Sequence, residues 1–218
     1  VSLSKDAWAP HPTLPLATRE EMLAHQSQPD LLYFLDTETT GLSRSVDRVV
    51  EVAVAAVDRR TWTVLWEAAQ LIDPTCSMPS AATRVNGITT AMVRGRPLFV
   101  DVWPRVAAKI PNGATVVAHA AAFDRGMIAS ELARTRYPAP EWAWEDSRAR
   151  ARKVLPDRSH KLQDLRDLFR CPGGTAHRAL GDVQTLVAVY RALLERQAED
   201  AAAAAANVAP LLATRKVA

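Results

Sequence analysis

Leu31-Leu32-Tyr33-Phe34-Leu35-Asp36-Thr37-Glu38 is an apolar run that ends in two acids. Side chains on a strand alternate between faces, so Leu32, Phe34, Asp36 and Glu38 share one face, and both carboxylates extend a core-facing row. Val49 to Val57 is a second, valine-rich run suited to a strand of a buried sheet. Thr61 to Leu71 predicts a third strand, antiparallel to the second because only Asp58-Arg59-Arg60 separates them. Beyond Pro74 the pattern predicts helices around 80–86 and 98–109, a strand at Ala114 to Ala118, and a helix from Phe123 to Arg136. A short strand near Trp142 to Asp146 and a last helix from Arg178 to Gln197 follow, the latter with Leu186, Val187, Tyr190, Leu193 and Leu194 on one stripe. Strands first, then alternating β and α elements, predict an α/β domain with a mixed sheet.

Two further acids repeat the pattern of the first pair. Asp124 shares a helix face with Met127, Ile128 and Leu132, and Asp182 aligns with Leu186 and Val189. No Lys or Arg lies on these stripes, and a carboxylate drawn out of water costs several kcal/mol unless something positive compensates it. A divalent cation is an economical compensation, because Mg²⁺ and Mn²⁺ favour hard oxygen ligands and keep positions open for water and phosphate. Two such ions roughly 3.5–4 Å apart can stabilise both oxygens of an in-line phosphoryl displacement. His177, five residues before Asp182, is placed to serve as a base near neutral pH. Each residue alone also has an ordinary reading: a strand-end acid pair, helix-start acids favoured by the dipole, an exposed or capping histidine. Their order along the chain is what separates the two readings.

The rest of the composition sets limits. The 218 residues suit one domain, and 48% apolar with 23% charged residues is the balance of a globular protein. A net charge of +3 permits a polyanionic partner without demanding one. Cys76 and Cys171 have no zinc-like or disulfide-framework spacing, which fits free thiols in a reducing cytoplasm. No apolar run approaches the ~20 residues that span a bilayer. Residues 1–28 read as a proline-containing extension with a short helix near 18–27, residues 29–198 as the domain, and residues 199–218 as an alanine-rich tail that could extend the last helix or fray.

Three blocks in order resemble one family. They are Phe34-Leu35-Asp36-Thr37-Glu38-Thr39-Thr40-Gly41-Leu42 with the Asp47–Ala53 strand after it, His119-Ala120-Ala121-Ala122-Phe123-Asp124, and His177-Arg178-Ala179-Leu180-Gly181-Asp182 preceded by Ser159–Leu165. The chain is similar over Leu31 to Leu194 to the DnaQ-like, DEDDh 3′→5′ exonucleases, a family that includes polymerase proofreading subunits. The resemblance implies an RNase H-like fold with a central mixed five-stranded sheet flanked by helices. It also implies two divalent cations, Mg²⁺ or Mn²⁺, held by Asp36, Glu38, Asp124 and Asp182. By that likeness Asp36 would bridge the ions, Glu38 and Asp182 would hold the ion carrying the nucleophilic water, Asp124 would act through water, and His177 would be the general base. Thr37, Thr39, Leu42, Val85, Asn86 and Phe123 would contact the terminal nucleotide, Leu42 against its base and Phe123 near its sugar.

Two positions depart from the family pattern. Ala120 stands where relatives usually carry Asn, and Asn86 where many carry His, a neutral substitute of shorter reach. The implied partner is nucleic acid entering by its 3′ end, with DNA expected over RNA; an RNA-trimming enzyme and an inactive binding module are the competing readings. A polymerase subunit as partner rests on analogy alone. The basic run from Arg148 to Lys161, with Arg125, could follow a phosphate backbone or be a solvated helix face. The six tryptophans are scattered and read as packing residues.

Overall fold

The computed structural model describes residues 30–214, with side chains to residue 206; the helix expected near 18–27 lies outside them. Strands β1 (Leu31–Thr39), β2 (Val49–Asp58) and β3 (Thr63–Leu71) form an antiparallel meander. After helices α1 (Ser80–Asn86), α2 (Thr90–Val93) and α3 (Phe99–Lys109), β4 (Thr115–Ala118) enters beside β1 and parallel to it. Helix α4 (Ala121–Thr135) then leads to β5 (Ala143–Asp146), parallel to β4, and the sheet order is β3-β2-β1-β4-β5. Helices α5 (Ser147–Val154), α6 (Leu162–Phe169) and α7 (Ala179–Thr214) complete the fold.

The alternation along β1 sorts the core into two layers. Tyr33 and Leu35 pack with Val52, Val54, Val116 and the buried faces of α3 and α4, among them Trp103, Met127, Ile128 and Leu132. Leu32 and Phe34 point the other way, onto Ala53, Ala55, Val117 and the Val183, Leu186 and Tyr190 stripe of α7. β2 is buried along its whole length, as a continuous valine run between two strands and two helical layers requires. Trp66, Trp103, Trp142 and Trp144 belong to the first layer and Trp62 packs at the second, as packing residues.

Local differences from the sequence reading have physical causes. α4 begins two residues before Phe123, with Ala120 as its N-cap in the left-handed region at φ 69°. The basic stretch, read only as a possible helix face, forms α5, because Asp146 caps it by accepting from the Arg148 and Ala149 amides. The family segment Ser159–Leu165 opens α6, which was not predicted; its buried residue is Leu165. Past residue 198, α7 continues without a break through the alanine stretch, the residue with the highest intrinsic helix propensity.

A candidate acidic catalytic site

The C-terminal end of β1 carries the site. Asp36 and Glu38, on the α7 face, meet Asp182 from the first turn of α7, and carboxylate oxygens of the three lie within 4.8 Å of one another. Pairing of β1 with β2 slips between Glu38 and Thr39, a bulge that ends the ladder where the site begins. The following loop is held by Asp47, which accepts from the Thr40 hydroxyl at 2.9 Å and the Ser43 amide at 2.7 Å. Gly41 packs onto that carboxylate so closely that a Cβ would fall 2.5 Å from Asp47 Oδ2, so the loop requires glycine there. Leu42, 83% exposed, stands at its tip.

Asp124 reaches the same strand end from the opposite layer. It is 2% exposed, and its Oδ1 accepts from the Thr37 amide at 3.0 Å and the Thr37 hydroxyl at 2.7 Å, tying α4 to β1. Its carboxylate therefore stands beside the three-acid cluster rather than within it, and Thr37 is its immediate partner. Asp182 is held on both oxygens: Gln163 Nε2 donates to Oδ1 at 2.8 Å and the His177 amide donates to Oδ2 at 2.9 Å. His177 is exposed and takes a left-handed backbone, φ 59°, which turns the chain into α7. The helix start is packed tightly, since a Cβ on Gly181 would sit 2.0 Å from the Thr175 carbonyl.

Electrostatics sets these acids apart. Burial, and after it the charges of Asp124, Asp182, Glu38 and Glu51, push the Asp36 carboxyl well above the usual carboxylate range. Glu38 is pushed up to about 7, first by burial and then by Asp182 and Glu51. Burial also raises Asp124 to about 7 against the two Thr37 bonds, and raises Asp182 against its bonds to His177 and Gln163. Among the described residues no Lys or Arg ion pair reaches any of the four, whereas buried Glu131 and Glu51 each have one. Glu131 is held by Arg48 at 2.7 Å and Arg134 at 3.4 Å, and Glu51 by Arg178 at 2.6 Å. A cluster of hard oxygen donors without its own cation fits a divalent metal ion.

Sequence reasoning missed several supports. Glu51, 3% exposed, lies directly opposite Glu38 on β2 and accepts from the Arg178 guanidinium and the Ala179 amide, which fixes the start of α7. A charge inside the run Val49-Val50-Glu51-Val52 was the available signal. Asn86, expected at the nucleotide, is buried instead: its amide donates to the Thr39 carbonyl at 3.3 Å and its oxygen accepts from the Ile88 amide at 3.0 Å. Val85 beside it is 60% exposed. Thr39 is buried, its hydroxyl donating to the Gly41 carbonyl, and Phe123 is half-buried against the first core layer. Arg150 is committed to Glu145, Gln197 and the Tyr190 ring, while Arg125, Arg152, Lys153, Arg158 and Lys161 are exposed.

The fold is RNase H-like, as in solved exonucleases, with an acid cluster at the end of its first strand. The exonuclease family of the RNase T type matches residues 33–190, and the chain belongs to it as a DnaQ-like 3′→5′ exonuclease. It is 31% identical over 175 residues to the DNA polymerase III epsilon subunit of Escherichia coli, covering 73% of this chain and 69% of that one. The epsilon subunit of Treponema pallidum is 28% identical over 167 residues, 75% and 76% of the two chains. A solved exonuclease X in complex with 5′ overhanging duplex DNA superposes with a TM-score of 0.62 at 26% identity, covering 75% of this chain and 91% of that one. Against the PolC-type polymerase III of Caldanaerobacter subterraneus, by contrast, the chain spans only 14% of the relative's length. The family is divalent-metal dependent. No helix among the described residues is long and apolar enough to cross a membrane.

Proposed function

We propose that this chain removes nucleoside 5′-monophosphates one at a time from the 3′ end of single-stranded DNA, in repair or proofreading. The observation that carries the reading is the convergence of Asp36, Glu38 and Asp182, with Asp124 alongside, at one strand end where none of them has a Lys or Arg ion pair among the described residues. Those residues would hold two divalent cations, Mg²⁺ or Mn²⁺. When bound, such ions neutralise the scissile phosphate and favour both the attacking and the leaving oxygen of an in-line displacement. His177, exposed at the mouth and tied through its amide to Asp182, takes the proton of the attacking water. Leu42 and Val85 are large apolar side chains left in solvent beside the cleft, and they suit the face of a terminal base.

DNA is favoured because the superposed exonuclease X was solved with DNA and the similar epsilon subunits belong to DNA polymerase III. A time course on 5′-labelled DNA and RNA of one sequence, with Mg²⁺, Mn²⁺ or EDTA, tests the proposal. A metal-dependent ladder receding from the 3′ end, faster on DNA, is expected. Asp36→Ala should abolish it, and His177→Ala should slow it roughly 10²–10⁴-fold. Faster RNA digestion would reassign the substrate, and a near-normal rate with an unchanged pH profile in His177→Ala would remove the base.

A further inference from the structure

Buried carboxylates of this protein are met by guanidinium groups or by neutral donors, and Glu67, on the Gln184 amide, shows that the second kind is not confined to the acid cluster. Glu51, buried beside Glu38, and Glu131, buried away from the acid cluster, are each clamped by guanidinium groups. Two of the site acids are held by neutral donors: Asp124 by the Thr37 hydroxyl and Asp182 by the Gln163 amide at 2.8 Å. A guanidinium fixes a carboxylate and cancels its charge, whereas an amide or hydroxyl fixes the carboxylate and leaves the charge in place.

Gln163 shows a second peculiarity. Its Oε1 is buried and has no hydrogen-bond partner among the described residues, an arrangement that costs roughly 1–3 kcal/mol. Nε2 faces Asp182, so Oε1 is left as an acceptor that the protein does not satisfy. Rotating the amide would put one oxygen against another, so the orientation is imposed by Asp182.

We propose that Gln163 is a positioning residue of the metal centre: it locks the rotamer of Asp182 while preserving the charge that draws a divalent cation. The inference rests on the reading that Asp36, Glu38 and Asp182 hold a cation. It adds that the donor supporting them must be neutral, with Gln163 as the residue that supplies it on the α7 side.

The test uses the full chain, titrated calorimetrically with MgCl₂ or MnCl₂ and melted in EDTA at pH 8. Gln163→Met keeps length and removes both polar atoms. Metal affinity should fall roughly 10–100-fold, as for other lost supports of metal ligands. Gln163→Lys keeps a donor but brings a charge. It should melt above the Met variant in EDTA, because the added cation relieves the crowded acids, yet bind metal more weakly still. A role in folding alone predicts a different pattern, in which both variants melt lower and bind metal like wild type. Unchanged affinity in Gln163→Met would overturn the proposal, and so would a Lys variant that binds metal better than the Met variant. Should wild type bind neither ion, the metal reading falls and this inference with it; wild-type binding with unchanged variants removes the Gln163 role alone.

Discussion

Replacing Asp36 with Asn takes one charge out of a group of three carboxylates whose oxygens lie within 4.8 Å of each other. Two unit charges at that distance repel by about 3.5 kcal/mol at an effective dielectric constant of about 20. Asp36 has two such neighbours in the cluster, with Asp124 and Glu51 adding to the same sign. Partial protonation relieves some of this repulsion at pH 8, and holding a proton above its ordinary pKa also costs free energy. A net gain of about 2 kcal/mol for metal-free Asp36→Asn follows, or a rise in Tm of roughly 4–8 °C for a chain of this size. The same substitution should erase the stabilisation that millimolar Mg²⁺ gives wild type by binding the native state. Glu131→Gln is the opposed control: it breaks a buried pair with Arg48 and should lower stability by roughly 3 kcal/mol with or without metal. Paired thermal melts in EDTA and in Mg²⁺ make the comparison. If Asp36→Asn melted lower than wild type in EDTA, or still gained from Mg²⁺, the claim that these acids are crowded for a cation would be refuted.

The pH dependence has a definite sign. Glu38 and Asp124 keep their protons up to about 7 in the folded chain, and an unfolded chain releases them near 4. The native state binds more protons in that window, so the metal-free stability these two groups contribute is fullest below about 4 and declines as pH rises to about 7; a Glu38→Gln, Asp124→Asn variant whose melts in EDTA show the same pH slope as wild type would contradict it. Ala120 holds a left-handed backbone at φ 69°, a conformation that costs an ordinary L-residue about 1 kcal/mol and that Asn tolerates. Ala120→Asn should therefore raise Tm by roughly 2–4 °C, and an unchanged melt would show the turn to be unstrained. Arg178→Met leaves Glu51 buried without its guanidinium beside Glu38, and should cost roughly 3 kcal/mol in EDTA, largely recovered in the Glu51→Gln, Arg178→Met double variant. Equal losses in the single and double variants, read by urea denaturation, would show that the pair is not coupled.

Much of the architecture was legible in the sequence because its signals are local. Alternation along Leu32, Phe34, Asp36 and Glu38 assigned one face of β1, and that face is the one α7 covers. Periodicity placed Asp124 beside Met127, Ile128 and Leu132, and those three are core residues. Helix α5 escaped because it is eight residues long and rich in charge, whereas in α6 the spacing of Leu162, Leu165 and Phe169 was a helical signal left unread. Three motif blocks, separated by about eighty and fifty residues, named the four acids and His177 as a set.

The sequence by itself named the candidate site residues and the strand and helix faces that present them, since residue type and period are properties of contiguous chain. Only the tertiary structure decided how those residues are held. That Asp36, Glu38 and Asp182 form the close cluster while Asp124 leans on Thr37 depends on how two helical layers approach one strand end from opposite sides. Whether a buried acid is met by Arg178, by Arg48 or by the neutral amide of Gln163 depends on partners 19 to 127 residues away along the chain, and no local pattern encodes them. Asn86 shows the same limit: its type permitted a contact with substrate, and the packing of α1 under the end of β1 turned it inward to hold the strand.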